Sequence, residues 1–116
     1  MISGLLGALG EQEAARFLRK KGCRILSANY KTPTAEIDIV ALDGKYICFV
    51  EVKTRQKGGL VPAADAVDLK KQDNIRRGAA SYMNRYKYEY EVRFDIIEVY
   101  VNGSTVVSVN HIPFAF

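Results

Sequence analysis

The sequence predicts an α/β domain: one mixed sheet of about five strands flanked by helices, in the order αβββαββ, spanning residues 1–116. Three observations predict it. Two segments carry apolar residues at helical spacing, while five others alternate or run β-branched at strand spacing. The dipeptides Asp43-Gly44 and Asn102-Gly103 sit between apolar runs, as hairpin turns do. The second helix falls between the third and fourth strands, and such a crossover makes those two strands parallel in mid-sheet. A sheet of that kind carries helices on its faces.

The elements follow in order. "ALGEQEAARFLRKK" (residues 8–21) reads as a helix that stops at Gly22, a residue type that tolerates the left-handed conformation past a helix end. "CRILSANY" is the first strand. "AEIDIVALDGKYICFVEVKTR" is a hairpin, with Asp43-Gly44 as a type I′ turn. "QKGGLVPAAD" is a loop broken by Gly58-Gly59 and Pro62. Asp68 reads as the N-cap of a second helix running to Tyr86, with a core stripe of Ile75, Ala79, Tyr82, Met83 and Tyr86. "YEVRFDIIEVYV" is a long strand, and Asn102-Gly103 turns into a last one, "STVVSV". No repeat, linker or low-complexity tract divides the chain, so one domain is expected.

Composition narrows the class. Hydrophobic residues at 48% and charged residues at 26% are those of a globular protein with its own core. No apolar run approaches the roughly 20 residues needed to span a bilayer. The opening "MISGLLGALG" lacks a basic region and a long apolar one, so it makes a poor signal peptide. Cys23 and Cys48 show no metal-type spacing and read as reduced, buried thiols, which points to the cytoplasm. A net charge of +4 hints at a polyanionic partner.

"FVEVKTR", residues 49–55, poses the functional question. Glu51 and Lys53 lie two residues apart on an otherwise apolar strand and share a face. Glu36 and Asp38 share a face of the hairpin partner by the same rule. With Asp43-Gly44 as a two-residue loop, Asp38 falls opposite Phe49 and Glu36 opposite Glu51. Asp38 and Glu51 are then diagonal neighbours, about 7–8 Å apart. Two half-buried carboxylates at that range call for a cation. Oxygen ligands with room for water and phosphate point to Mg²⁺ or Mn²⁺. Lys53 beside the metal would orient or polarise water, or neutralise charge on a phosphate. On the first helix, Glu11 falls inside the apolar arc of Ala14, Ala15, Phe17 and Leu18, whereas Gln12, Glu13 and Arg16 fall opposite. Alone, Glu51 and Lys53 read as an ion pair at the sheet rim, and Glu11 as a carboxylate favoured at a helix start. The joint pattern favours a site.

"E-I-D", then twelve residues, then "E-V-K" resembles the PD-(D/E)xK nuclease superfamily. The whole chain resembles the YraN-like family of endonuclease-like proteins, related to archaeal Holliday-junction resolvases. The resemblance lies in Gly10-Glu11, "ANY" at 28–30, "EIDIV" at 36–40, "FVEVKTR", Lys71-Gln72, "RFDIIEV" at 93–99 and the closing "HIPFAF". It departs at Ile37, where the superfamily carries proline, and at Ala35, where the family carries glycine. It implies a restriction-endonuclease-like core, Asp38 and Glu51 as metal ligands, Lys53 as catalytic lysine and Glu11 as an accessory acid. The implied activity is Mg²⁺- or Mn²⁺-dependent hydrolysis of DNA phosphodiesters, with branched DNA the substrate by analogy. Resolvase-like relatives act as dimers, which suggests a homodimer.

Further residues are candidates for the nucleic-acid surface. Lys71 and Gln72 begin the second helix, where backbone N–H groups are available to a phosphate. Lys70, Arg76, Arg77, Arg55 and Lys57 would follow the nucleic-acid backbone, although such charges also form solvated faces. Asp95 reads first as an ion-pair partner of Arg93 and second as a group near the metal. Tyr82, Tyr86, Tyr88 and Tyr90 could stack on bases, but Tyr82 and Tyr86 fit the core stripe better. One histidine, His111, leaves little material for triads or zinc sites. The alternative function is a non-catalytic nucleic-acid-binding protein keeping the nuclease fold. A protein-interaction module ranks last, since it leaves Glu11 and Glu51 buried without purpose.

Overall fold

The computed structural model describes residues 2–58, 67–87 and 89–116, with side chains from residue 4 onward. The expected loop at Gly59 and Pro62, and Tyr88, lie outside the described residues. The elements are α1 (Ile2–Lys20), β1 (Arg24–Lys31), β2 (Glu36–Asp43), β3 (Tyr46–Gln56), α2 (Leu69–Tyr86), β4 (Glu91–Asn102) and β5 (Thr105–Ile112). This is the predicted order αβββαββ. The strands lie side by side in chain order, with β3 and β4 parallel and every other neighbour antiparallel.

Both helix ends follow from their sequences. α1 closes on Gly22, whose φ is +94°. There Cys23 N–H donates to Leu18 C=O and Gly22 N–H to Arg19 C=O, the two bonds of a Schellman motif. α1 starts earlier than its apolar spacing indicates, because Gly4 and Gly7 do not break it. α2 starts at the predicted cap, with the Asp68 carboxylate accepting from Lys71 N–H at 2.8 Å. That bond removes one of the amides expected to be open to a phosphate.

The helices cover opposite faces. On one, Ala14 and Leu18 of α1 pack on Ile39, Ala41, Cys48, Val50, Ile97, Val99 and Val101. On the other, Ile75, Ala79 and Tyr82 of α2 pack on Ile37, Val40, Ile47 and Phe49. Tyr86, expected in that stripe, is 46% exposed because the helix ends there, although its ring rests on Tyr82 at 4.5 Å. Both cysteines are free and buried, and burial is the main cause pushing the Cys48 thiol up to about 12, so it is inert at neutral pH. No described helix is long and apolar enough to cross a membrane.

The β2–β3 turn differs from the expected one. Asp43 pairs with Tyr46, so the loop is Gly44-Lys45, one residue later than Asp43-Gly44. Of the two, Gly44 alone has positive φ, at +57°, the glycine-first pattern of a type II′ turn. The β4–β5 turn shifts likewise, because Asn102 pairs with Thr105. Asp43 is held in the strand by Arg93, whose guanidinium bonds it at 2.9 Å.

Asp95 is structural, as its first reading held. It is fully buried on the α1 face of β4, and Arg93 grips it through Nε and Nη2 at 2.9 and 2.8 Å. His111 Nε2 lies 2.8 Å from Asp95 Oδ2, and Lys21 Nζ lies 2.9 Å from His111 Nδ1. The lysine can only donate, so Nδ1 accepts and Nε2 carries the proton given to Asp95. Burial alone would raise the Asp95 carboxyl, but the bonds from His111 and Arg93 hold it below the usual range.

Candidate active site

The site forms where β2 leaves β3. Their pairing runs from Asp43–Tyr46 to Ile39–Val50 and stops. The next inward-facing amide of β3, Val52 N–H, would meet β2 backbone if the ladder continued. It donates instead to Asp38 Oδ2 at 2.8 Å. A side-chain carboxylate thus replaces a missing strand carbonyl and is fixed at the head of a cleft. With the turn one residue later than expected, the register carries Asp38 toward Glu51 rather than Phe49, so the two acids are closer than the diagonal relation predicted.

Glu51 is buried, and burial is the chief reason its carboxyl is pushed up to about 7. The Asp38 charge and a hydrogen bond to Asp38 raise it further, while Lys71 and Lys53 oppose. At neutral pH the pair is therefore poised to give up a proton. Lys71 Nζ reaches across from α2 to within 3.5 Å of Glu51 Oε2, a contact unforeseen in the sequence because it joins elements 20 residues apart through the crossover.

Glu11 enters from α1. Its Oε1 is buried with no hydrogen-bond partner. Burial, then Asp38 and Glu36, raise its carboxyl, with Lys31 opposing. The helix comes this close because residue 10 is glycine: a Cβ there would overlap Thr54 Oγ1 of β3. Glu11, Asp38, Glu51, Lys53, Thr54 and Arg55 line one cleft of about 350 Å³. The four predicted catalytic residues are thus brought together.

The donor set fits a divalent cation in part. An orphaned buried carboxylate oxygen and two neighbouring carboxyls, the charge of Asp38 raising Glu51, are what such an ion would satisfy. Among the described residues, however, no three Asp, Glu, His or Cys side chains already converge as a ready-made ligand group. Asp38 and Glu51 are the pair that could hold the ion, with Glu11 on the cleft wall.

The surface residues divide. Lys71 lines a neighbouring groove of about 310 Å³ with Lys31, Thr32, Thr34 and Asn74. Lys70 is exposed, and Arg76 and Arg77 are exposed but engaged within α2 by Asp73 and Asn74. Gln72 is half-buried and donates to Val67 C=O at 3.0 Å. Arg55 is committed to Glu98 at 3.0 Å, its side chain nearly buried. Asn29, noted in the sequence only within "ANY" at 28–30 and given no role there, lines a second cavity of about 380 Å³ that Glu11 and Asp38 share.

Glu11 and Glu13 separate a site role from a helix role. Both stand on the same helix, but Glu13 pairs with Arg16 on its outer face. Glu11→Gln is expected to leave stability in the absence of metal unchanged or improved, since it removes a charge repelled by Asp38, and to weaken Mn²⁺ binding. Glu13→Gln should change neither. Calorimetric titration with parallel melts checks this, and matching behaviour of the two variants would return Glu11 to an ordinary helix carboxylate.

Comparison with known proteins places the chain in a family. The model of the uncharacterised protein family UPF0102 matches residues 10–99, a span holding Glu11, Asp38, Glu51, Lys53 and Lys71. The chain is 44% identical over 114 residues to a UPF0102 protein of Alkaliphilus oremlandii, covering 96% of this chain and 97% of that one. It is 45% identical to a UPF0102 protein of Caldanaerobacter subterraneus subsp. tengcongensis over 96% of this chain and 93% of that one. To a UPF0102 protein of Chlorobaculum tepidum it is 46% identical, over 81% and 74%.

Proposed function

The chain belongs to the uncharacterised protein family UPF0102, the YraN family, and from that premise we propose that it is a divalent-metal-dependent endonuclease hydrolysing DNA phosphodiester bonds. The observation that carries the reading is the adjacent carboxyl pair Asp38–Glu51 in a cleft that also holds Lys53 and the orphaned Glu11 oxygen. Asp38 and Glu51, with Glu11 beside them, would hold Mg²⁺ or Mn²⁺, which when bound supplies a polarised water and charge neutralisation at phosphate. Val52 N–H keeps Asp38 oriented. Lys53 offers its ammonium to the phosphate or the attacking water. Lys71 and Lys31, on the adjoining groove, would follow the nucleic-acid backbone. By the resemblance of the sequence to resolvase-like proteins, branched DNA is the substrate of first interest and a cytoplasmic homodimer the working unit.

One observation favours a second reading, a nucleic-acid-binding protein without catalysis: no three-ligand group is preassembled among the described residues. Labelled single-stranded, duplex, flap and four-way-junction DNA, incubated with Mg²⁺ or Mn²⁺ and with chelator, separates the two. Cleavage that chelator abolishes supports the nuclease; retention of DNA without cutting in any arm supports the second reading.

The raised Glu51 carboxyl fixes the pH dependence. The ordinary value is 4.5 and the folded one about 7. The folded protein therefore holds the extra proton between those values, and the associated stability is complete below 4.5 and lost as pH rises through 7. At about 1.36 kcal/mol per unit, wild type should lose about 2–3 kcal/mol relative to Glu51→Gln from pH 4.5 to 8, read by urea unfolding without metal. Mn²⁺ affinity should move the other way, rising about tenfold per pH unit below 7 and levelling above. A flat affinity profile would remove Glu51 from the ligands.

A further inference from the structure

Asn29 has φ +54°, inside strand β1. That left-handed region is one that residues other than glycine rarely adopt, asparagine being among the most tolerant. The β1–β2 register brackets Asn29 opposite Asp38, between the pairs Ala28–Ile39 and Tyr30–Ile37. At this position the period of two fails on both strands. Tyr30 packs with its partner Ile37 under α2, whereas Ala28 is paired with Ile39, which packs under α1. Ile37 packs under α2 while Ile39 packs under α1, although regular alternation would put both on one face.

We infer that Asn29 is the positioning residue for Asp38: its left-handed backbone lets β1 follow β2 through the break in alternation, and that break aims the Asp38 carboxylate at Val52 N–H and the cleft. Without it, a strand paired regularly to β1 would carry Asp38 on the face set by strict alternation, and the Val52 amide would lose its acceptor. The backbone, not the amide group, does the positioning, so glycine can replace Asn29 and alanine cannot. The use made of Asp38 rests on the nuclease reading; its placement by Asn29 does not.

Asn29→Gly and Asn29→Ala are compared with wild type in three measurements: melting temperature, hydrogen exchange of the Val52 amide without metal, and Mn²⁺ affinity. Asn29→Gly is expected to match wild type in exchange and affinity within about threefold, because glycine adopts positive φ freely. Asn29→Ala is expected to expose the Val52 amide to exchange at least about tenfold faster and to bind Mn²⁺ about 10–100-fold more weakly, as when a ligand loses its supporting partner. Unchanged Val52 exchange in a folded Asn29→Ala overturns the inference. So does an Asn29→Gly that loses Val52 protection, a comparison that still decides if the alanine variant does not fold. If wild type binds no Mn²⁺, the nuclease reading fails while the Val52 exchange continues to judge Asn29.

Discussion

Lys53→Ala is expected to remain folded and to bind DNA, with cleavage lowered by about 10²-fold or more, the range for removing a positioned catalytic group. Lys53 is half-buried on β3, two residues beyond Glu51, and lines the same cleft. Its charge draws the Glu51 carboxyl down against burial and Asp38. Losing it costs the fold little, because Glu51 keeps Lys71 at 3.5 Å. On the nuclease reading, the loss falls instead on charge that develops during reaction. Lys53→Arg should not restore the rate, since a planar fork does not reproduce a compact ammonium. Single-turnover cleavage beside a thermal melt reads both quantities, and a rate within about threefold of wild type would take Lys53 out of the mechanism.

The largest expected loss of stability lies away from the cleft. Asp95→Ala removes the acceptor of two Arg93 bonds and of the His111 proton, all nearly sealed from water. Arg93 keeps only Asp43 among these partners, at one corner of its guanidinium. Breaking a buried pair from one side costs about 3–5 kcal/mol, a large part of the roughly 5–15 kcal/mol that holds a domain together. Asp43→Ala should cost at most about 1 kcal/mol, because Asp43 is 41% exposed and water compensates. Urea midpoints at neutral pH check both, and comparable losses in the two variants would mean that the network is not centred on Asp95.

The contrast between what could and could not be read from the chain follows the range of each interaction. The Gly22 stop, the Asp68 cap and the faces of both helices depend on neighbours within a turn or two, and the sequence shows them. The parallel β3–β4 pair was readable because α2 must lie between them. The gathering of Glu11, Asp38, Glu51 and Lys53 was legible from side-chain period and the hairpin together, although the exact pairing and the break in alternation at Asp38 were not. Turn register was not, because Asp43-Gly44 and Gly44-Lys45 are both good turns locally, and the contact that holds Asp43 in the strand comes from Arg93, 50 residues away. Lys71 on Glu51 and Asp95 on His111 join distant strands and helices for the same reason. Asn29 left a faint signal, an asparagine within a strand, whose meaning appears only with its cross-strand partner.

The sheet's neighbour-to-neighbour order also sets how the chain assembles. β1, β2 and β3 form a meander whose contacts close over short stretches, and β4–β5 is a second local unit. The β3–β4 ladder joins Tyr46 to Glu91 and is the long-range closure between them, the kind that slows folding. Glu11, Asp38 and Glu51 all leave the ribosome before Lys71 does. The meander that carries the acids therefore emerges ahead of α2, and Lys71 reaches Glu51 only when that helix docks.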